Sequence, residues 1–290
     1  MLMSLIICTR NRASQLKECL KEIAGASIPQ CDLEVILVDN GSEDSTNKII
    51  TDFIDTSSLK VTHVNCRRAG SGFARNCGVS ASKGEWLLFT DDDCYIEKMF
   101  FLNFFNFIKT TLTSSEVLKE IKYGSGPILP YDDQHDPRVA NLAITAISLI
   151  PTNSLLPAGT VQGANMFFHR LVFDRIGYFN EKMGMGTPFV GADIEMATRA
   201  SLAGFLGAQV PFFKVIHHHK RLTGSVEANL TAESYDYARG AYYASLLYQR
   251  LPQAWKLWEA GTNLQNIRDQ HVRMQLVREL EGAAKYLNAL

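Results

Sequence analysis

Four short apolar runs, each followed by a helix-like segment and each ending in polar residues, constrain this chain most. Leu5–Cys8 leads into Thr9-Arg10-Asn11-Arg12, and Glu34–Val38 into Asp39-Asn40-Gly41-Ser42. Val61–Val64 comes before the turn Ala69-Gly70-Ser71-Gly72, and Glu85–Thr90 runs straight into Asp91-Asp92-Asp93. Between the runs lie helical patterns, Ala13–Ala24 with Leu16, Leu20 and Ile23 near one face, then a segment through Ile50 and Phe53, then Phe73–Ala81. Buried strands alternating with helices predict an α/β fold with a mostly parallel sheet covered on both faces. In such sheets ligands gather beyond the carboxyl ends of the strands, where Thr9, Asp39 and the three aspartates fall.

Beyond residue 125 the pattern loosens. Pro127 to Pro157 reads as an excursion around a site, and Val161–Phe168 as a return to the sheet, followed by a helix over Leu171–Ile176. Gly184–Gly191 is a glycine-bearing loop before a helix over Asp193–Ala203, and Phe212–Ile216 a last strand ending in His217-His218-His219. From Ala228 the chain reads as helical and aromatic-rich. We expect one α/β domain over 1–225 and a helical extension over 226–290, packed on it or used as an interface, with a homodimer among the arrangements it allows.

Charge and cysteine usage narrow the function. The 29 basic and 30 acidic side chains leave a formal net charge of −1, which argues against a nucleic-acid binder built on a broad basic face. Cys8, Cys19, Cys31, Cys66, Cys77 and Cys94 show no CxxC spacing and read as reduced thiols of a cytoplasmic chain. The opening MLMSLIICTRNR lacks the flanks of a signal peptide and reads as a first strand. Phe100–Ile108 and Leu142–Ile150 are the nearest approaches to a membrane span and fall short of the roughly 20 apolar residues one needs. Peripheral contact at the inner face of the cell membrane stays open.

The aspartate run is the sharpest chemical signal. Adjacent carboxylates repel unless a cation, basic groups or solvent compensates. Alternation along extended backbone lets Asp91 and Asp93 face one cleft while Asp92 faces elsewhere. Their oxygens suit Mg²⁺ or Mn²⁺ bridging donor phosphates; a solvated acidic turn is the alternative. Asp39 suits a hydrogen bond to a base or ribose and equally an Asx turn. Gly70 and Gly72 permit close approach, and Arg75 is placed to reach phosphate. Asp193 is either a helix cap or an acceptor-side base. Of the three late histidines one imidazole suits a metal, since consecutive strand residues diverge, and the cations that follow, Lys220 and Arg221, suit a diphosphate.

Taken in order, SLIICTRNR, EVILVDNGSEDST, GSGFARNCG, WLLFTDDDC, VQGANMFFHRLVFDRIGYF, GADIE and the late histidines resemble the family 2 inverting nucleotide-sugar glycosyltransferases of GT-A fold, over roughly residues 4–220. The resemblance implies a GT-A, Rossmann-like sheet and donor-binding roles for Thr9, Arg12, Asp39, Arg75 and Asp91, with Asp92 lying between the ends of the D-x-D motif and counted with them. It implies metal contact by Asp93 and by His217 or His219, Asp193 as catalytic base, and acceptor contacts at Ala192 and Glu195. The family commonly carries Glu-Asp where this chain has Ala192-Asp193. The implied partners are Mn²⁺ or Mg²⁺, a nucleoside-diphosphate sugar with UDP favoured, and a glycan or lipid-linked acceptor. A noncatalytic nucleotide-sugar sensor or assembly subunit is the competing expectation.

Overall fold

The computed structural model describes residues 2–262 and 264–290. Its first part alternates as the apolar runs predict: β1 (Leu2–Thr9), α1 (Ala13–Gly25), β2 (Asp32–Asp39), α2 (Thr46–Thr56), β3 (Lys60–Asn65), α3 (Ser71–Ala81) and β4 (Trp86–Asp91). Then come β5 (Cys94–Ile96), α4 (Phe100–Asn106), β6 (Ile121–Ser125), β7 (Ile128–Pro130), β8 (Ser148–Ile150), β9 (Asn165–His169) and α5 (Arg170–Ile176). The last part holds α6 (Ala192–Leu202), β10 (Leu206–Gln209), β11 (Val215–His217), α7 (Val226–Tyr248), α8 (Ala254–Thr262) and α9 (Gln270–Asn288).

An eight-stranded sheet runs in the order β3-β2-β1-β4-β9-β6-β10-β8. The first four strands are parallel, β9 runs against both β4 and β6, β10 is parallel to β6, and β8 closes the edge antiparallel. The period-two alternation of side chains sorts each strand between two cores. Leu5, Ile7, Val35, Leu37, Trp86 and Leu88 face one side, where Leu16, Leu20 and Ile23 of α1 and the aromatic rings of α4 cover them. Ile6, Ile36, Val38, Leu87 and Phe89 face the other, under α3, α5, α6 and the C-terminal helices. Phe100–Ile108 is therefore core: Phe100, Phe101, Phe104 and Phe107 are buried, with Phe104 and Phe213 rings 5.0 Å apart. No helix among the described residues is long and apolar enough to cross a membrane.

A second, three-stranded sheet, β5-β11-β7, sits at the strand ends of the first. It pairs His217 with Cys94 in antiparallel register and with Pro130 in parallel register. Beyond its central strand, this small sheet was not legible from periodicity, because its strands are three residues each.

The C-terminal helices share the core of the sheet's second face. Tyr242, Tyr243 and Leu246 of α7 and Tyr286 of α9 pack in the same cluster as Ile6 and Phe89. Helices α7 and α9 cross at two glycines. A Cβ on Gly240 would overlap the Glu279 carbonyl, and one on Gly282 the Tyr237 carbonyl. Backbone on both sides leaves no flexible atom to yield, and overpacking of this kind costs about 1–3 kcal/mol. Gly240→Ala should lower the thermal midpoint by about 3–10 °C, while Glu281→Ala on the exposed side of α9 leaves it nearly unchanged. Equal midpoints for the two variants in a calorimetric scan would show that the crossing is looser than described.

Candidate functional site

The carboxyl ends of β1 and β4 lie side by side, with Cys8 opposite Asp91, and Thr9 of β1 lies opposite Asp39 of β2. That register gathers Thr9 and the three aspartates at the floor of a cleft of about 710 Å³. Each aspartate of the run takes a different set of partners. Arg75 Nη2 lies 3.4 Å from Asp91 Oδ1. Thr9 Oγ1 donates to Asp92 Oδ2 at 2.7 Å, and Arg12 Nη1 to Asp92 Oδ1 at 3.0 Å. The other Arg12 nitrogen, Nη2, donates to Asp93 Oδ2 at 2.7 Å. On its far side Asp93 Oδ1 stands 3.2 Å from His217 Nε2. The small sheet fixes this last approach, since the backbone N–H of His218 donates to the Asp93 carbonyl at 2.8 Å.

These surroundings set three different acidities. Burial works to raise the Asp93 carboxyl, but His217 and Arg12 outweigh it and hold it below the ordinary carboxylate range. Burial dominates at Asp92 and pushes it to about 7 against Arg12 and Thr9. Enclosure likewise raises Asp91, with Arg75 opposing.

Asp91, Asp93, Cys94 and His217 bring one potential ligand atom each within 4.8 Å of one another. Asp93 Oδ1 and His217 Nδ1 are buried with no hydrogen-bond partner, the condition expected of atoms awaiting a cation or a substrate group. Cys94 differs: burial keeps its thiol protonated, with its pKa well above the ordinary value. The donors that remain, two carboxylates and an imidazole, fit Mn²⁺ or Mg²⁺.

The opposite wall carries Asp193, at the start of α6. Its Oδ2 accepts from the Gly163 N–H at 2.7 Å and its Oδ1 from the Ile194 N–H at 2.9 Å. Each oxygen keeps a lone pair for another donor. Gly163 also lies against the Arg75 guanidinium, so the Asp91 and Asp193 walls meet across one glycine.

Other expected residues stand differently. Thr9, Arg12, Arg75, Asp91, Asp92, Asp93, Ala192, Asp193 and His217 line the cleft. Asp39 does not: it is buried, and its Oδ1 caps a turn by accepting from the Ser42 N–H at 2.8 Å. Its neighbour Asn40 lines the cleft instead, donating to the carbonyls of Cys66 and Arg68 and accepting from Gly70 N–H, which ties the turn after β2 to the loop between β3 and α3. Glu195, expected to touch acceptor, is buried and paired with Arg199 at 2.8 Å on the far side of α6. A helix turns its residue i+2 about 200° away from i, so Asp193 and Glu195 do not share a face. His219 is also committed, its Nε2 lying 3.1 Å from the Asp136 carbonyl and its Nδ1 accepting from Arg221 N–H. That leaves His217 as the late histidine of the candidate metal-binding group.

The glycine turn and the cysteines bring two further differences. Gly72 permits close approach, but to the Asn180 and Met183 carbonyls of the neighbouring loop rather than to a ligand. Cys66 and Cys77, expected as free thiols, are joined in a disulfide between the end of β3 and α3, with Cα atoms 6.8 Å apart. Cys8, Cys19, Cys31 and Cys94 are free. Gln162, Gly163, Arg221 and Tyr235 also line the cleft. The first two fall in a stretch the sequence marks as irregular and acceptor-facing, and Arg221 is a cation after the histidine run; Tyr235 reads in the sequence only as part of an aromatic packing face or interface.

A profile of the family described as glycosyl transferase family 2 matches residues 4–176, more than half of the chain. Among curated proteins, poly(ribitol-phosphate) beta-N-acetylglucosaminyltransferase TarS of Staphylococcus aureus is 34% identical over 95 residues, 33% of this chain and 17% of that protein. Glycosyltransferase AglE of Haloferax volcanii is 35% identical over 91 residues, 31% of this chain and 30% of that protein. The matched segments thus span less than a third of either relative. Among solved structures, a mannosyltransferase of Pyrobaculum calidifontis, in complex with GDP-Man and Mn²⁺, superposes with a TM-score of 0.63 at 18% identity, covering 98% of this chain and 86% of its own. Residues 1–349 of S. aureus TarS in complex with UDP-GlcNAc give 0.61 at 18% identity, covering 97% and 80%. Both share the GT-A architecture found here, a large mostly parallel sheet flanked by helices. By its sequence, this chain belongs to glycosyl transferase family 2.

Proposed function

We propose that the chain moves a sugar from a nucleoside-diphosphate donor, with UDP favoured, onto a hydroxyl of a glycan or lipid-linked acceptor, inverting the anomeric centre. The observation that carries this reading is the pairing of two unlike carboxylate groups across one cleft. On one side Asp91 and Asp93 converge with His217; on the other, Asp193 is held by two backbone N–H groups. Solved neighbours contain GDP-Man with Mn²⁺ and UDP-GlcNAc, which supports a nucleotide-sugar donor and a divalent metal.

Asp91, Asp93 and His217 are the residues that would hold the metal, the last two offering unpartnered buried atoms. When bound, such an ion supplies positive charge that stabilises a departing nucleoside diphosphate. The protein's own groups do the rest. Thr9 and Arg12 fix the aspartate turn, and Arg75 reaches Asp91 from the donor wall. Asp193 accepts the proton of the acceptor hydroxyl as its oxygen bonds to the anomeric carbon, and the bond from that carbon to the diphosphate oxygen breaks. Attack from the side opposite the leaving group inverts the centre. Helix α7 closes the cleft on the acceptor side, excluding water that would otherwise compete. In this reading residues 1–225 form the transfer domain, and 226–290 supply its wall.

Two measurements test these roles separately. UDP-, GDP- and dTDP-sugars are screened for thermal protection with and without Mn²⁺. One donor should protect only with metal, by about 2.7 kcal/mol at a hundredfold excess over Kd, and Asp93→Asn should abolish the protection. Protection by donor that ignores both metal and Asp93→Asn would rule out the metal reading. Asp193→Asn should slow transfer about 10²–10⁴-fold while donor protection stays intact. Undiminished turnover in that variant would remove Asp193 as the base.

A further inference from the structure

The arginines around the cleft are not equivalent. Six line it: Arg10, Arg12, Arg75, Arg138, Arg221 and Arg239. Arg12 is spent on Asp92 and Asp93, and Arg75 on Asp91. Arg138 pairs with Asp136, and Arg239 with Asp236 and Glu279. Arg10 and Arg221 pair with no carboxylate among the described residues. Arg10 is exposed and follows Thr9, so it stands at the donor end. Arg221 is half-buried and belongs to the strap between β11 and α7.

The backbone holds Arg221 in place on both sides. Its N–H donates to His219 Nδ1 at 3.1 Å and its carbonyl accepts from Asp136 N–H at 2.9 Å, just after a bend at Lys220 with φ 62°. Tyr235 of α7 lines the same cleft, with 39% of its surface exposed, whereas Tyr242 two turns further is fully buried. Burial raises the Tyr235 phenol. Arg221 is the strongest charge pulling it back, and Asp193 the strongest carboxylate pushing it up. Arg221, Tyr235 and Asp193 thus line one cleft.

We propose that Arg221 and Tyr235 form an acceptor subsite beside Asp193 that selects an acceptor carrying an anionic group, a phosphate or carboxylate, near the attacking hydroxyl. A neutral acceptor that displaced water here would leave a guanidinium desolvated and unpaired, which disfavours it. A phosphate or carboxylate meets the planar guanidinium fork with two parallel hydrogen bonds. Tyr235 offers an apolar ring face to the sugar and a hydroxyl at its edge. Discrimination thus has an attractive component for the anion and a repulsive one for its neutral analogue. The subsite rests on Asp193 marking the acceptor side of the cleft.

The test measures, by calorimetry with UDP and Mn²⁺ present, the binding of methyl glucoside, its 6-phosphate and methyl glucuronide. The wild type should bind one or both anionic compounds at least tenfold more tightly than the neutral one. Arg221→Met should erase that preference and change UDP affinity less than twofold. Tyr235→Ala should weaken all three compounds, and Tyr235→Phe should keep most of the affinity. No preference in the wild type overturns the subsite, as does a loss of UDP affinity in Arg221→Met, which would assign the guanidinium to the donor diphosphate. An unchanged Tyr235→Ala removes the ring from it. Intact metal-dependent UDP binding by the wild type alongside any of these outcomes leaves the donor-site reading standing, so the two fail separately.

Discussion

Three carboxylates on consecutive residues can occupy one strand end only if something different neutralises each, and the rest of the cleft is arranged around that requirement. Arg12 is the central element, because its two terminal nitrogens reach Asp92 and Asp93 at once. Thr9 and Arg12 lie three residues apart at the end of β1, so the register of β1 against β4 decides whether this compensation exists. A one-residue slip would turn every side chain to the opposite face. The apolar alternation of Leu5, Ile6 and Ile7 between two cores forbids that slip. Packing deep in the sheet thereby protects the electrostatics at its edge.

The compensation is deliberately incomplete on one side. Arg12 satisfies Asp93 Oδ2, while Oδ1 faces His217 without a hydrogen bond. A fully paired site would have no remaining capacity for a cation. A wholly unpaired one would not keep three carboxylates folded together at neutral pH. The spread of acidities, with Asp93 depressed and Asp92 raised to about 7, expresses this division of labour among chemically identical side chains.

Much of the floor was legible in the sequence and little of the walls. The four parallel strands announce themselves because each is a continuous apolar run, and their polar ends then follow from fold rules. Asp91, Asp93 and His217 converge, although the resemblance gave Asp91 a donor role and reserved the metal for Asp93 and a late histidine. Glu195 and His219 take other partners for a local reason: sequence adjacency to a functional residue does not convey which way a side chain points on a helix or at a strand end. Asp39 reads in the sequence as a ligand contact or as a turn cap, and the backbone engages its Oδ1 in the turn. Of the small sheet only its central strand was visible, expected over Phe212–Ile216 and found at Val215–His217, because long-range packing positions the rest of it, as it does Gly163 and Tyr235. The family profile stops at residue 176, short of Asp193, His217 and Arg221.

The order of the chain adds a consequence in time. Arg12 and the three aspartates lie in the first third, whereas His217 follows Asp93 by 124 residues. At about 5–20 residues per second of synthesis, the acidic turn leaves the ribosome on the order of 6–25 s before its histidine. For that interval Arg12 alone stands between Asp92 and Asp93. The β1–β4 pair that carries it needs only the first ninety-odd residues to form. A nascent chain can thus complete the floor of the cleft first, and close over it only when the histidine strand and then α7 arrive.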